Sequence, residues 1–185
     1  MAYLGILKRF PHDLTVLSEL RILLIELSDL PTCASLFQSA FTHYQSTYPS
    51  GVGILDSPTG HSSAEISGGG FGLMEVLVLA DLYNTLGEYE KAVGVIRGGV
   101  RWLQGRRKQW YWNKCVDDRE FDLEEEEGGP SRHVGTGAGD GGGAGDGGDM
   151  PPGRFSLDIN ARHRLAVARI KMGDVEEAKV RLPIP

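Results

Sequence analysis

The chain has 185 residues, with 25 Asp and Glu against 19 Lys and Arg, so its net charge is −6 when His is neutral. That length suits one domain or a short array of repeats. The acidic excess is local, because residues 117–153 hold 11 of the acids and only 2 of the bases. Outside that stretch the chain is slightly basic, so its overall charge excludes neither nucleic acid nor protein as a partner.

Two cysteines are too few to predict a disulfide scaffold, and the most apolar stretch, residues 14–30, contains four charges. A membrane span needs about 20 predominantly apolar residues. We therefore expect a soluble intracellular protein that makes no membrane contact.

Residues 1–49 are predicted to be helical. Apolar residues recur at helical spacing in 14–28 and again in 32–48, and the few residues between them predict an antiparallel helical hairpin. Residues 1–10 are interpreted as half of an earlier repeat. Residues 50–72 are rich in Gly, Ser and Pro and predict a loop.

Helical periodicity resumes in residues 73–104, which predict helices over 73–86 and 89–103 separated by Gly87. Residues 105–122 form an extension that mixes aromatic and charged side chains. Residues 123–153 are predicted to be a disordered acidic, Gly-rich linker, because they offer almost no apolar surface to bury. Residues 154–185 predict a further, truncated repeat that is broken at Gly173. Since nothing indicates a strand, the predicted fold class is all-α.

The strongest pattern is a repeat. When the two glycine breaks are aligned, small residues recur at the same offsets on both sides of the break, where two helices of a hairpin would have to approach closely. This pattern resembles the tetratricopeptide repeat, which implies an α-solenoid fragment. The residues predicted to pack the repeats are Ala80, Tyr83, Gly87, Tyr89, Ala92, Ala166, Gly173 and Ala178. A weaker copy in residues 18–38 sets Asp29 opposite Gly87. Because the pattern begins and ends partway through a repeat, we expect a fragment or a truncated gene product.

The sequence offers no pattern typical of catalysis or metal binding. The tract Gly137–Gly142 fits GxGxxG, but no predicted strand precedes it and no predicted helix follows it. The His and Cys residues are scattered without metal-ligand spacing. An acidic run in a polar segment is usually solvated, whereas paired catalytic carboxylates need unlike environments. We therefore predict no catalytic residue, no cofactor, no metal and no small-molecule ligand, and hence no enzyme.

Residues 97–114 interleave six basic side chains with four aromatic ones. Basic and aromatic residues together are typical of single-strand binding, so a nucleic-acid-binding module remains an alternative. The competing interpretation is structural. Trp102 falls on the predicted core face of its helix, and the acids at 117–122 could pair with the bases.

Two strings, WLQGR at 102–106 and DDREFD at 117–122, resemble the fungal-type tetratricopeptide subunit of TFIIIC, the general initiation factor of RNA polymerase III. The resemblance implies a nuclear protein-binding scaffold that contacts other TFIIIC subunits and helps to assemble TFIIIB through its Brf and Bdp subunits, with DNA contacted indirectly. A generic tetratricopeptide adaptor unrelated to transcription is a further alternative. The residues that the resemblance marks as protein-binding are Arg101, Trp102, Arg106, Trp112, Asp118, Arg119, Glu120, Phe121 and Asp122.

Overall fold

A computed structural model describes residues 12–49, 70–121 and 157–181. The predicted half repeat at 1–10, nearly all of the 50–72 loop, the 123–153 linker and the last four residues lie outside these ranges. Within them the chain forms six α-helices and two short 3-10 helices and contains no strand. The all-α prediction is thus confirmed for the described residues.

The α-helices form three consecutive helical hairpins. The first consists of α1 (Leu14–Glu26) and α2 (Leu30–Thr47), the second of α3 (Leu73–Thr85) and α4 (Tyr89–Leu103), and the third of α5 (Ile159–Lys171) and α6 (Val175–Arg181). The 3-10 helices, Trp110–Asn113 and Arg119–Phe121, lie in the extension after α4. Helix α2 packs on α3, while α5 packs on both α4 and α3, so the second hairpin lies between the other two.

Aspartate side chains cap helix N-termini in the first and third hairpins. The carboxylate of Asp13 accepts a hydrogen bond from the Val16 N–H at 3.0 Å, and that of Asp158 accepts one from Asn160 at 2.9 Å. At α3 the relation is reversed, because the Gly72 N–H donates to the Glu75 carboxylate at 2.8 Å. Each contact gives a hydrogen-bond acceptor to a backbone N–H at the start of a helix, where the helix itself provides none.

The three hairpins turn in the same way. Each turn contains one residue with positive φ: Ser28 at 58°, Gly87 at 77° and Gly173 at 85°. Glycine adopts this region without the steric penalty of a side chain, which explains the second and third turns. The residue equivalent to Gly87 in the first hairpin is therefore Ser28, and the alignment with Asp29 was wrong by one position.

Small side chains lie where the helices of a hairpin meet. Ala80 and Ala92 in the second hairpin and Ala166 and Ala178 in the third are at most 1% exposed. With the corrected alignment, the first hairpin places Cys33, also 1% exposed, at the position of Ala92. Tyr83, three residues after Ala80, is buried, and Tyr89, three residues before Ala92, is half-buried. Helices α3 and α4 also approach closely at Gly99, where a Cβ atom would lie 2.7 Å from the Val76 side chain.

Candidate functional site

The extension after α4 folds back onto the helix that precedes it. Helix α4 ends in a turn at Gly105, whose φ is +70°, and the Arg106 N–H donates to the Arg101 carbonyl at 2.8 Å. The chain then reverses through the two 3-10 helices and places residues 112–121 along α4. Residues 101–122, which contain both marked strings, are called the marked segment below.

Arg97 of α4 holds the returning chain. Its guanidinium donates to the Trp112 carbonyl at 2.8 Å, to the Cys115 carbonyl at 3.0 Å and to the Glu120 carboxylate at 3.0 Å. Three fixed N–H directions thus match three acceptors, an arrangement that suits the planar guanidinium better than a lysine. The structural interpretation of residues 97–114, in which the acids at 117–122 pair with the bases, is confirmed for Arg97.

Glu120 is fully buried between two arginines. One carboxylate oxygen accepts the hydrogen bond from Arg97, and the other forms an ion pair with Arg101 at 3.2 Å. Burial raises the pKa of Glu120, while the cations of Arg101 and Arg97 oppose that rise. Burial also lowers the pKa of Arg101, and Glu120 opposes that fall. The group is a buried ion cluster, in which each charge offsets part of the desolvation of its partner.

Asp118 joins the marked segment to the third hairpin. Arg169 of α5 donates to both Asp118 oxygens, at 2.9 and 2.7 Å, and also to the Val116 carbonyl at 2.8 Å. The hydrogen bond with Asp118 raises the pKa of Arg169, and burial opposes that rise. From α6, Glu177 accepts a hydrogen bond from the Asp118 backbone N–H at 2.9 Å. Neither Arg169 nor Glu177 was predicted from the sequence to be a charged partner of this segment.

Trp102 faces the first hairpin. Its indole N–H donates to the Tyr48 carbonyl at 2.8 Å, and its ring meets Phe41 edge-on at a centroid distance of 6.0 Å. The side chain is completely buried, as the core interpretation predicted. A second tryptophan, Trp112, is 1% exposed, and its indole N–H has no hydrogen-bond partner among the described residues.

Most of the residues marked as protein-binding are therefore inside the fold. The members that are at most 8% exposed are Arg101, Trp102, Arg106, Trp112, Asp118, Glu120 and Phe121. Arg119 is exposed and pairs with its neighbour Asp117, which raises the pKa of Arg119. Asp122 lies outside the described residues. Of the eight marked residues that the structure describes, seven are buried and Arg119 is exposed.

The same burial bears on the nucleic-acid alternative. Trp102 and Trp112 cannot stack on bases while they are buried, and Arg97, Arg101 and Arg106 are at most 9% exposed. Three exposed cations remain in residues 97–114, namely Arg107, Lys108 and Lys114. Arg107 also donates to the Gln45 carbonyl at 2.6 Å.

Other kinds of site have little support in the described residues. Across residues 12–49, 70–121 and 157–181, no three His, Cys, Asp or Glu side chains are grouped closely enough to hold a metal ion. No helix in these ranges combines the length and apolarity that crossing a bilayer requires.

Comparison with known proteins gives one informative similarity. No family model matches the chain. It is 24% identical over 186 residues to transcription factor tau subunit sfc4 of Schizosaccharomyces pombe. The aligned region covers 97% of this chain and 15% of that protein. The chain is therefore similar to one part of a transcription factor tau subunit and spans only a small share of that protein's length.

Proposed function

We propose that this chain is a protein-interaction scaffold of the RNA polymerase III factor TFIIIC and acts in the nucleus. The observation that carries the proposal is the similarity to a transcription factor tau subunit along 97% of the chain. Because the chain spans only 15% of that relative, it would contribute one part of the larger protein's surface. The proposal includes no catalytic role, cofactor or metal.

The proposed scaffold is built from tetratricopeptide-type repeats. Three successive hairpins with left-handed turn residues at 28, 87 and 173, and with small buried residues where their helices meet, support this assignment. Such hairpins bury one face against their neighbours and leave others for protein ligands. The proposed partners are other TFIIIC subunits and the Brf and Bdp subunits of TFIIIB, with DNA held indirectly.

The marked segment has a specific part in this proposal. Because Arg101, Trp102, Arg106 and Trp112 are buried, the segment would act on partners by holding the second and third hairpins in position, and not through direct contacts of these four side chains. Partner binding would then depend on exposed side chains, and changes to the buried residues of the marked segment would act through folding.

The test is affinity purification of the tagged full chain from nuclear extract, with and without nuclease, read by mass spectrometry. Recovery of TFIIIC or TFIIIB subunits after nuclease treatment is the expected result. Recovery of neither, with other proteins retained, would favour the generic adaptor.

A matched variant separates the nucleic-acid alternative. Arg107→Ala, Lys108→Ala and Lys114→Ala together remove the exposed cations of residues 97–114 and leave the buried arginines intact. The scaffold proposal expects unchanged recovery of partners from this triple variant. Loss of partners both with the triple variant and with nuclease, together with steep salt dependence, would support nucleic-acid binding instead.

A further inference from the structure

Alanines make up most of the buried apolar side chains of the third hairpin, among the residues whose burial is described. The buried side chains there are Leu165, Arg169, Ala161, Ala166, Ala168 and Ala178 in α5 and α6, and Leu157 just before α5. An alanine contributes far less hydrophobic free energy than a leucine or an aromatic residue, because that contribution scales with buried area. We therefore expect contacts other than apolar packing to contribute more to the docking of the third hairpin than to that of the first.

Those contacts are ionic and converge on one residue. Asp118 is 0% exposed and Arg169 is 4% exposed, and the two form a bidentate pair. Arg97 of α4 lies 3.5 Å from the same carboxylate, so Asp118 lies between cations of α4 and α5. Glu177 adds α6 through the Asp118 backbone. We call Asp118, Arg169 and Glu177 the ionic latch.

The latch spans a long chain separation. Asp118 and Arg169 are 51 positions apart, and Asp118 and Glu177 are 59 apart. A further ion pair joins the second and third hairpins directly, Arg164 with Asp81 at 2.9 Å, and it is partly exposed, with side-chain exposures of 29% and 49%. A partly exposed pair contributes little, whereas removal of one member of a buried pair leaves an uncompensated charge.

We propose that the ionic latch is a conformational device: it docks the third hairpin on the second, and the hairpin undocks as a unit when the latch is broken. The alanine-rich contact keeps the undocked surface small, so undocking does not require the first two hairpins to unfold. The proposal concerns the fold alone, and its outcome is independent of which partners the chain binds.

Hydrogen exchange on the full chain in increasing urea tests the proposal in the wild-type protein. Urea is uncharged and leaves the ion pairs unscreened. The expected result is that amides of α5 and α6 exchange through a shared opening that is populated well before α1–α4 open. A single opening common to all six helices would overturn the proposal.

Variants then test the role of the latch itself. Asp118→Asn should lower the exchange protection of α5 and α6 by about 100-fold or more and that of α1 and α2 by less than about threefold. Arg164→Met is the matched control, since it removes the partly exposed ion pair between the same hairpins, and it should change protection by less than about fivefold. Glu177→Gln should fall between the two.

Two results with the variants would contradict the proposal. An equal loss of protection in all helices of Asp118→Asn would mean that Asp118 stabilises the whole fold and is not a latch. Unchanged protection of α5 and α6 would mean that the alanine-rich contact alone docks the hairpin. If Asp118→Asn does not fold, Glu177→Gln and the wild-type urea series still separate these results.

Discussion

The two junctions between hairpins are built from different chemistry. Between the first and second hairpins lie aromatic rings: Phe41, Phe71 and Trp102 are all at most 5% exposed and have mutual centroid distances of 5.6–6.3 Å. Between the second and third lies the buried pair Asp118–Arg169. The same type of hairpin is thus joined once by rings and once by charges.

The difference determines how each junction responds to damage. Aromatic packing is spread over many atom contacts and is nearly independent of salt and pH. Removal of a ring destabilises the fold because it leaves a cavity. A buried ion pair is directional, and the loss of either member destabilises the fold because it leaves the other charge buried without a partner. We therefore expect ring deletions to destabilise in proportion to volume and charge deletions to undock one hairpin.

The largest expected effect is at the aromatic junction. Trp102→Ala should lower the free energy of unfolding by about 3–5 kcal/mol, because it empties a fully buried site. Urea unfolding would measure it. As a control, Trp102→Phe keeps a ring but loses the hydrogen bond to the Tyr48 carbonyl. The loss of that bond should account for about 0.5–1.5 kcal/mol of the decrease in the free energy of unfolding of this variant. A Trp102→Ala variant as stable as wild type that no longer binds its partners would show Trp102 to be a contact residue.

The second expected effect lies in the hairpin that both junctions share. Gly99→Ala would place a Cβ atom 2.7 Å from the Val76 side chain and should cost about 1–3 kcal/mol by overpacking α3 against α4. Gly98→Ala is the matched control, since nothing lies within 4 Å of its added Cβ. It should stabilise the helix by about 0.5–1 kcal/mol. Equal effects of the two substitutions in thermal melting would refute the close approach.

A smaller effect is expected at the exposed edge of the ionic junction. Arg164→Met removes the pair with Asp81, in which both side chains are partly exposed, and should change the free energy of unfolding by about 0–1 kcal/mol. Raising the salt concentration should reduce even that difference. A cost above about 2 kcal/mol in chemical unfolding would mean that the exposed pair, and not the buried one, docks the third hairpin.

The smallest effect concerns pH and falls on the first hairpin. His12 stacks on His43 at 4.0 Å, and burial together with His43 lowers the pKa of His12 below 6.5. Because the unfolded chain binds this proton more readily, the free energy of unfolding should fall as the pH drops from about 7.5 through 6.5 and level off below the folded pKa. His12→Phe keeps a ring against His43 and should flatten this part of the profile. An identical pH profile for the variant would assign the titration to another group.

The helices could be predicted from sequence because their signals are local. The break at Gly87 and the span Tyr89–Leu103 follow from apolar periodicity and from a residue suited to the left-handed turn. The first hairpin was shifted by one residue because Ser28 takes the left-handed turn without being glycine. Phe71 was assigned to a loop, yet it is fully buried between hairpins. Its burial was not predicted because a single aromatic residue outside a periodic run gives no sign of being buried.

The candidate site could be predicted only in part. The burial of Trp102 was expected from its place on the core face of its helix, and it is confirmed. The protein-binding role of the residues in the marked strings stays a prediction. The partners in α5 and α6 were not identified. A signal was present, because the repeat alignment sets Arg169 at the position of the buried Tyr83, and an arginine at a core position needs a buried acid.

The sequence by itself determined that the described parts of the chain are largely helical and where the second and third hairpins turn, because both depend on residues within a few positions of each other. Only the tertiary structure decided which of the clustered arginines are buried. Arg97 and Arg107 look alike in sequence, yet one holds Glu120 inside the fold and the other is exposed. The burial of a charge depends on which distant segment covers it, as when Arg169 finds Asp118 across 51 positions, and no local pattern encodes that pairing.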